Sequence, residues 1–499
     1  MKQLLLIVTV LLSAVSLWSQ KKDKTAMDYA TIISAAELKK QLYIIAGPEM
    51  EGRNTPSAGL KKAAAYLESE FSAMGLQPIV NGKYQMPYAL YLDSILSSSF
   101  SVNGHSFISG EDFQMNPNNY SAHIYAAEVV FAGYGLSDST RNDYKGLDVK
   151  GKIVMVMAGT PNPGSGRGNF INKQAIAAQY GAIAVLQVQQ NLSIQMRGGG
   201  PRHYLNLFKK VNLPNLITIK GNIAREITGK TYEELLAEAK NGISKNSFTT
   251  KISFSLLKET KVEETTNVLG FLEGTDLKDE VVLLTAHYDH VGKSADKIYY
   301  GADDDGSGTV SILTLARAFS AAKKAGKGPR RSMLFMLVSG EEKGLWGSAY
   351  YADNPILPLE KTVCDLNIDM IGRIGDPYAK SPDSSNYVYI IGDDKLSSAL
   401  RPISEGVNKK YIDMKLDYTY NDPNDPNRFY YRSDHYNFAE KGVPIIFYFN
   451  GVHPDYHQPT DTPDKINYPL MAKRAQLVYY TAWEIANRTE SIPRDQHKL

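Results

Sequence analysis

The alternation of apolar runs with helix-like segments after residue 266 is the feature that most constrains the fold. Near-continuous apolar runs alternate there with segments whose apolar residues recur at helical spacing. The runs are "DEVVLLTAHYDHVG", "RRSMLFMLVSGEEKG", "VCDLNIDMIG" and "KGVPIIFYFNG". Strands that are apolar along most of their length belong to sheets covered on both faces, in proteins that alternate strands and helices. The pattern therefore predicts an α/β fold with a mixed, largely parallel sheet sandwiched by helices.

Earlier parts of the chain divide into a helical region and a strand-rich region. "SAAELKKQLYIIAG" and "AGLKKAAAYLESEFSAMG" have apolar residues at helical spacing, and the second is closed by Gly75. "AAEVVFAGYG" and "KGKIVMVMAG" are short strand-like runs of a separate, β-rich region. The predicted boundaries are a signal peptide over 1–19, the first part of the main domain over 28–107, an inserted domain over 108–255 and the rest of the main domain over 256–490.

The amino terminus has the layout of a secretory signal peptide. Lys2 is followed by a mostly apolar run from Leu4 to Trp18 and then by a charged stretch. The run is short for a bilayer span, and no later segment is apolar for long enough to cross a membrane. We therefore expect an exported protein, periplasmic or secreted, without a membrane span once the signal peptide is removed.

Charge and cysteine content exclude some classes of partner and structure. The formal net charge of the 499 residues is +2, which gives no reason to expect nucleic acid or a membrane surface as a partner. Cys364 is the single cysteine, so an intramolecular disulfide cannot form, and its apolar surroundings predict a core residue. The sequence leaves the oligomeric state open.

Acidic and histidine residues fall repeatedly where the predicted strands end. In open α/β sheets functional groups gather at the carboxyl ends of the strands, so these side chains are expected at one edge. Gathered carboxylates repel one another unless cations neutralise them, and histidines with carboxylates form a ligand set suited to zinc. A calcium loop of the EF-hand type is disfavoured for "DDDGSG", because that pattern also needs a distal glutamate, which this segment lacks. The residues are His287, Asp289, Asp304, Glu341, Glu342, Asp369 and His457.

Six motifs in order resemble a known family. The chain contains "AHYDH", "GADDDGSG", "SGEEKGLWGS", "NIDMIGR", "RSDHYNFAEKGVP" and "YHQPTDT". Together they resemble the M28 family of co-catalytic zinc metallopeptidases, over roughly residues 266–490 and the helices near 35–85. The resemblance implies two Zn²⁺ ions per chain and a peptide substrate. Residues 108–255 resemble, by strand-rich pattern and position, a protease-associated domain inserted into the peptidase fold.

The resemblance also implies a role for each site residue. It assigns one zinc ion to His287 and Asp369, the other to Glu342 and His457, and Asp304 to both. Two such ions activate a water and polarise the scissile carbonyl.

Further roles concern the residues around the two ions. The resemblance implies that Glu341 is the general base, Asp289 orients His287, and Tyr456 stabilises the oxyanion. Arg432 matches a position near the substrate, and the aromatic segment 418–431 before it is interpreted as part of the pocket rim. Because adjacent residues of an extended strand point to opposite sides, Glu341 and Glu342 are predicted to diverge.

Several functions stay open at this level. The resemblance favours an exported aminopeptidase that removes amino-terminal residues from peptides. A carboxypeptidase or a dipeptidase on the same scaffold is an alternative, because the motifs do not include residues that select the peptide terminus. A glutaminyl cyclase is disfavoured by the complete five-ligand set, since the cyclase relatives use one zinc. A non-catalytic binding protein is disfavoured because no ligand and no base is lost.

Overall fold

The chain forms two compact units, Met1–Tyr88 with Glu264–Leu499, and Ala89–Glu263. The predicted insertion over 108–255 lies within the second unit, and its identity as a protease-associated domain stays a prediction. The predicted signal peptide over 1–19 lies outside the described residues. The computed structural model describes residues 22–116, 118–161, 172–192, 203–206, 213–241 and 246–497.

The described part of the first unit begins with three α-helices, and the predicted helical segments are confirmed. Ser57 caps the third helix by accepting a hydrogen bond from the backbone N–H of Leu60. Gly75 ends that helix at φ 78°, a left-handed conformation that glycine adopts without steric cost. The helices are α1 (Lys24–Ala30), α2 (Ala35–Ile45) and α3 (Ala58–Met74).

The described residues of the second unit form a mixed sheet and three α-helices. In it β4, β5, β6 and β8 pair in parallel in that order, while β3 and β9 pair antiparallel at the two ends. The strands β1 and β9 each begin in one unit and end in the other. The elements are β1 (Gln85–Val102), β2 (His105–Phe107), β3 (Phe113–Met115), β4 (Ala122–Phe131), β5 (Ile153–Met157), α4 (Lys173–Gln179), β6 (Ala184–Gln189), β7 (His203–Tyr204), β8 (Asn215–Lys220), α5 (Gly221–Thr228), α6 (Tyr232–Asn241) and β9 (Ser247–Leu272).

The remainder of the first unit alternates strands and helices as the apolar pattern predicts. Its elements are β10 (Leu277–His287), β11 (Gly292–Ser294), β12 (Lys297–Tyr299), α7 (Gly308–Lys324), β13 (Arg331–Val338), α8 (Trp346–Asp353), β14 (Thr362–Ile368), β15 (Tyr387–Ile391), α9 (Leu400–Tyr411), β16 (Lys415–Asp417), α10 (His435–Glu440), β17 (Ile445–Phe449) and α11 (Tyr468–Asn487).

A mostly parallel sheet forms the centre of the first unit, which confirms the predicted fold class. Its strand order is β16-β15-β17-β14-β10-β13-β9. The four central strands β17, β14, β10 and β13 are mutually parallel, while β15 and β9 join them antiparallel. Each residue of β13, β14 and β17 is buried, which explains why these segments are apolar without alternation.

Helices cover both faces of this sheet. Apolar residues of α2, α3, α7 and α11 form one core with the sheet, and those of α8 and α10 form a second core on the other face. Cys364 lies on β14 and is buried, as predicted. Among the described residues, no helix is long and apolar enough to cross a membrane.

Candidate metal centre

The predicted acidic and histidine residues meet at the carboxyl ends of the central strands. His287 is the last residue of β10, and Asp369 directly follows β14. Glu341 and Glu342 follow β13 by a short turn, and His457 lies in the loop after β17. Because these strands are parallel neighbours, their carboxyl ends lie at the same edge of the sheet.

His287 is the centre of a first group of possible metal ligands. Its Nε2 lies 3.3 Å from Oδ1 of Asp304, 3.6 Å from Oδ1 of Asp369 and 4.0 Å from Oε2 of Glu341. The histidine is 1% exposed, so solvent does not satisfy its nitrogen. Three carboxylates thus approach one buried imidazole nitrogen.

His457 is the centre of a second group, on the other side of Asp304. Its Nε2 lies 2.9 Å from Oδ2 of Asp304 and 3.1 Å from Oε2 of Glu342. Asp304 therefore presents one carboxylate oxygen to each histidine. Five of the predicted residues, His287, Asp304, Glu342, Asp369 and His457, are thus brought together around the carboxylate of Asp304.

Unpartnered buried atoms provide the test of whether a cation fits. Among the described residues, Nε2 of His287, Oδ2 of Asp304 and Oε1 of Glu342 are buried without a hydrogen-bond partner. Leaving such groups unpaired is costly, and native structures rarely do so without a ligand or an ion. Imidazole nitrogens and carboxylate oxygens are ligands that zinc takes in proteins. The residues present therefore fit zinc.

The electrostatics of the cluster lead to the same conclusion. Two carboxylates 4 Å apart repel by about 4 kcal/mol at an effective dielectric constant of 20. Burial, together with the carboxylates of Glu342 and Asp369, raises the pKa of Glu341 well above its usual range. Burial alone would lower the pKa of His287, but the carboxylates of Glu341 and Asp369 outweigh it and raise that pKa. The cluster thus favours any positive charge placed at its centre.

Asp303 and Asp305 shape the turn that presents Asp304. Oδ1 of Asp303 accepts a 2.6 Å hydrogen bond from the backbone N–H of Gly372. Oδ1 of Asp305 accepts hydrogen bonds from the backbone N–H groups of Gly308, at the start of α7, and Met370. Both aspartates are fully buried. Two of the three adjacent aspartates therefore tie the turn to the segment that follows Asp369, and the middle one is left for the centre.

Asp289 links two elements of the site. Its Oδ1 accepts a 3.1 Å hydrogen bond from the backbone N–H of Glu341, and its Oδ2 accepts one of 3.0 Å from the hydroxyl of Thr55. Toward His287, Nδ1 is 3.1 Å from the backbone oxygen of Asp289 and 3.7 Å from its Oδ1. The residue therefore contacts both His287 and the segment that carries Glu341.

Glu341 and Glu342 diverge, but not for the reason that the sequence suggests. The expectation of an extended strand end is wrong, because residues Glu341–Lys343 form a 3₁₀ turn. Gly340 and Gly344 flank this turn at φ 77° and 116°, backbone conformations that favour glycine. Glu341 approaches His287, whereas Glu342 approaches His457.

Tyr456 and Arg432 share a cleft with the cluster. The lining of the cleft includes Asp304, Glu341 and Asp369. The Tyr456 ring stacks on the His457 ring with centroids 3.9 Å apart, and burial together with Asp304 raises the pKa of its hydroxyl. Arg432 is exposed and lies over the Phe429 ring at 4.8 Å. The remaining lining residues are apolar: Met370, Phe429, Phe447, Phe449 and Val452.

Sequence reasoning missed His290. This residue is fully buried, its Nδ1 lies 2.8 Å from Oε1 of Glu342 and 3.7 Å from Oδ2 of Asp304, and neither ring nitrogen has a hydrogen-bond partner among the described residues. Its position next to Asp289, beyond the strand end, was the available signal. His290 thus approaches the oxygen of Glu342 that faces away from His457.

The fold and this set of buried donors at one sheet edge define a metal-dependent hydrolase. Residues 267–482 match the model of Peptidase family M28, and the protein is a metallopeptidase. The chain is 24% identical to leucine aminopeptidase 2 of Arthroderma otae, over 99% of this chain and 94% of the relative. It is also 24% identical to aminopeptidase YwaD of Bacillus subtilis, over 99% and 96% of the two chains.

Two solved structures have a similar fold. The aminopeptidase from Aneurinibacillus sp. strain AM-1 superposes with a TM-score of 0.55 at 19% identity, covering 95% of this chain and 100% of that chain. The zinc aminopeptidase from Bacillus subtilis superposes with a TM-score of 0.50 at 20% identity, covering 94% and 98%.

Proposed function

We propose that this metallopeptidase is an exported aminopeptidase that uses two zinc ions to remove residues from the amino terminus of peptides. The observation that carries the proposal is Asp304, whose two oxygens face two separate histidine-centred groups at 3.3 and 2.9 Å. The names of the relatives support the choice of aminopeptidase, since two that align with nearly the whole chain are aminopeptidases. The apolar run before Trp18 supports export, and the position of residues 108–255 supports an inserted protease-associated domain.

The proposed ligands divide between the two histidine-centred groups. His287 and Asp369 would hold the first zinc ion, Glu342 and His457 would hold the second, and Asp304 would contribute to both positions. When bound, such a pair of ions lowers the pKa of a water molecule and polarises the scissile carbonyl.

Glu341 is proposed to move the proton in the reaction. Its carboxylate belongs to the same cleft as Asp304 and Asp369, and it is not needed as a ligand in this assignment. A carboxylate whose pKa is raised can accept a proton from water and later deliver it to the leaving amine. Asp289 accepts a hydrogen bond from the backbone N–H of Glu341 and thereby fixes the start of the 3₁₀ turn.

Tyr456 is proposed to stabilise the negative charge that develops on the carbonyl oxygen. Because burial raises the pKa of its hydroxyl, the group keeps its proton and acts as a hydrogen-bond donor. Donors placed where charge develops stabilise the transition state more than the ground state. The stacking on His457 fixes the ring beside the cluster.

Zinc content is the first test of this assignment. We expect close to two zinc equivalents per chain after purification without chelator, because two histidine-centred groups share Asp304. Elemental analysis with inductively coupled plasma mass spectrometry measures the ratio. A stoichiometry of one in a fully active enzyme contradicts the two-ion assignment.

A carboxypeptidase is the second candidate, and Arg432 is the observation that favours it. Its guanidinium borders the cleft and lies over the Phe429 ring. A guanidinium in that position can bind a substrate carboxylate in a bidentate manner. In the aminopeptidase assignment, the same group binds the peptide beyond the scissile bond.

The choice between these candidates is testable with one peptide in three forms. We expect the free and carboxyl-amidated forms to lose residues one at a time from the amino terminus, and the amino-acetylated form to resist. Mass spectrometry of the products over time reads the order of loss. Loss from the carboxyl terminus of the acetylated form, with resistance of the amidated form, moves the assignment to carboxypeptidase.

A further inference from the structure

Residues 51–55 contact the metal centre from outside the part of the chain that matches the family model. The sequence pattern indicates only a polar loop here. In the structure Arg53 is fully buried and Thr55 is 2% exposed. The backbone of Glu51, Gly52 and Arg53 is left-handed in succession, with φ of 50°, 69° and 50°. This conformation is unfavourable for residues with side chains, and such outliers concentrate at functional sites.

Arg53 binds the main chain of three segments at once. Its Nε donates to the backbone oxygen of Tyr288 at 2.7 Å, which lies between His287 and Asp289. Its two terminal nitrogens donate to the backbone oxygens of Tyr300 and Gly301, just before the aspartate turn, and of Ile45 at the end of α2. The backbone oxygen of Arg53 in turn accepts from the N–H of His290.

The positive charge of the buried Arg53 guanidinium lies near carboxylates of the site. Burial lowers the pKa of its guanidinium to about 10, while the carboxylates of Asp289 and Asp304 oppose this shift. The group therefore stays protonated at neutral pH. A planar guanidinium presents five donors in a fixed geometry, which no other side chain offers. Lysine at this position keeps the charge but cannot reach the same four oxygens.

Thr55 connects Asp289 with the segment that carries Glu341. Its hydroxyl donates to Oδ2 of Asp289 at 3.0 Å and accepts from the backbone N–H of Gly340 at 3.1 Å. Asp289 in turn accepts from the backbone N–H of Glu341. A single buried hydroxyl thus closes a ring of hydrogen bonds that joins the ends of β10 and β13.

We propose that Arg53 and Thr55 are positioning residues of the metal centre, which fix the main chain around His287, Asp304 and Glu341. Arg53 fixes the distance between the segment before β11 and the segment after β12. Thr55 sets the orientation of Asp289 and with it the start of the turn of Glu341 and Glu342. Groups that orient metal ligands contribute about 10–100-fold to metal affinity or activity. The inference uses the zinc ligands of the proposed function but not the choice of peptide terminus.

Thr55→Val tests the proposal because it keeps the shape of the side chain and removes only the hydroxyl. We expect zinc to bind about 10–100-fold more weakly, measured by competition with a chromophoric chelator. At saturating zinc, kcat is expected to fall while KM stays unchanged. Thr55→Ser restores the hydroxyl and is expected to restore both quantities.

The matched control is Thr314→Val in α7. Thr314 is 1% exposed and its hydroxyl donates to the backbone oxygen of Val310, away from the metal ligands. This variant is expected to lose stability without a change in zinc affinity. Equal weakening of zinc in the two valine variants, or unchanged zinc affinity in Thr55→Val, overturns the proposal.

Arg53→Lys provides a second test in the same assay. We expect weaker zinc binding with the charge retained, and where this variant does not fold, Thr55→Val alone decides. The chelator competition remains readable if the wild-type protein cleaves no amino-terminal residue. Failure of the aminopeptidase assignment is therefore distinguishable from failure of this inference.

Discussion

Both zinc ions are expected to be lost when Asp304 is replaced by alanine. Asp304 is the one side chain of the cluster whose two oxygens lie near both His287 and His457. Each metal position then keeps one imidazole and one carboxylate, fewer than the three protein ligands of catalytic zinc sites. Metal ions supply several kcal/mol of transition-state stabilisation, and each 1.36 kcal/mol is tenfold in rate. Activity is therefore expected to fall by more than about 10³-fold.

Zinc stoichiometry and thermal unfolding together measure this effect. Zinc is expected to raise the unfolding temperature of the wild-type protein and not that of Asp304→Ala, because only the wild-type folded state binds it. Asp296→Ala, at the exposed turn between β11 and β12, is the matched control. Retention of one tightly bound zinc by Asp304→Ala contradicts the shared-ligand assignment.

The architecture was predictable because strands that are buried along their whole length consist mostly of apolar residues. β13, β14 and β17 are buried along their whole length, so nearly every position selects an apolar residue. The helix α3 shows its capping serine and its terminal glycine directly in the sequence. The candidate site residues at the strand ends follow from the same logic, since strands located by their apolar residues also locate their carboxyl ends.

The residues that support the site were not predictable in the same way. Thr55 and Asp289 are 234 positions apart in sequence, and their contact depends on the packing of residues 51–55 against the end of β10. Arg53 and the residues on either side of it are mostly polar, and polar residues usually indicate an exposed loop. No local sequence pattern indicates that the guanidinium donates hydrogen bonds to four backbone oxygens. The 3₁₀ turn at Glu341 was missed because its two flanking glycines were interpreted only as part of a motif.

The two adjacent glutamates are proposed to have different roles, one in proton transfer and the other in metal binding. Glu341 approaches His287 at 4.0 Å, whereas Glu342 lies 3.1 Å from His457 and 2.8 Å from His290. Replacing either by glutamine removes one negative charge and keeps the size of the side chain. Any difference between the two variants therefore reports the role of the position rather than the kind of change.

Glu341→Gln is expected to keep both zinc ions and to lose turnover. An amide cannot accept the proton, and removal of a general base costs about 10²–10⁴-fold in rate. KM is expected to change far less than kcat, because the carboxylate acts in the transition state and not in binding.

Glu342→Gln is the matched variant and is expected to weaken zinc binding rather than proton transfer. An amide oxygen is a weaker zinc ligand than a carboxylate, so the zinc ion near His457 is expected to dissociate more readily, and added zinc should restore part of the activity. Zinc content beside kcat and KM for each variant is the measurement. If Glu341→Gln loses zinc while Glu342→Gln retains it, the two roles are reversed. If Glu341→Gln turns over at nearly the wild-type rate, the proton acceptor is a different residue, because the only chemical group that this substitution removes is the carboxylate of Glu341.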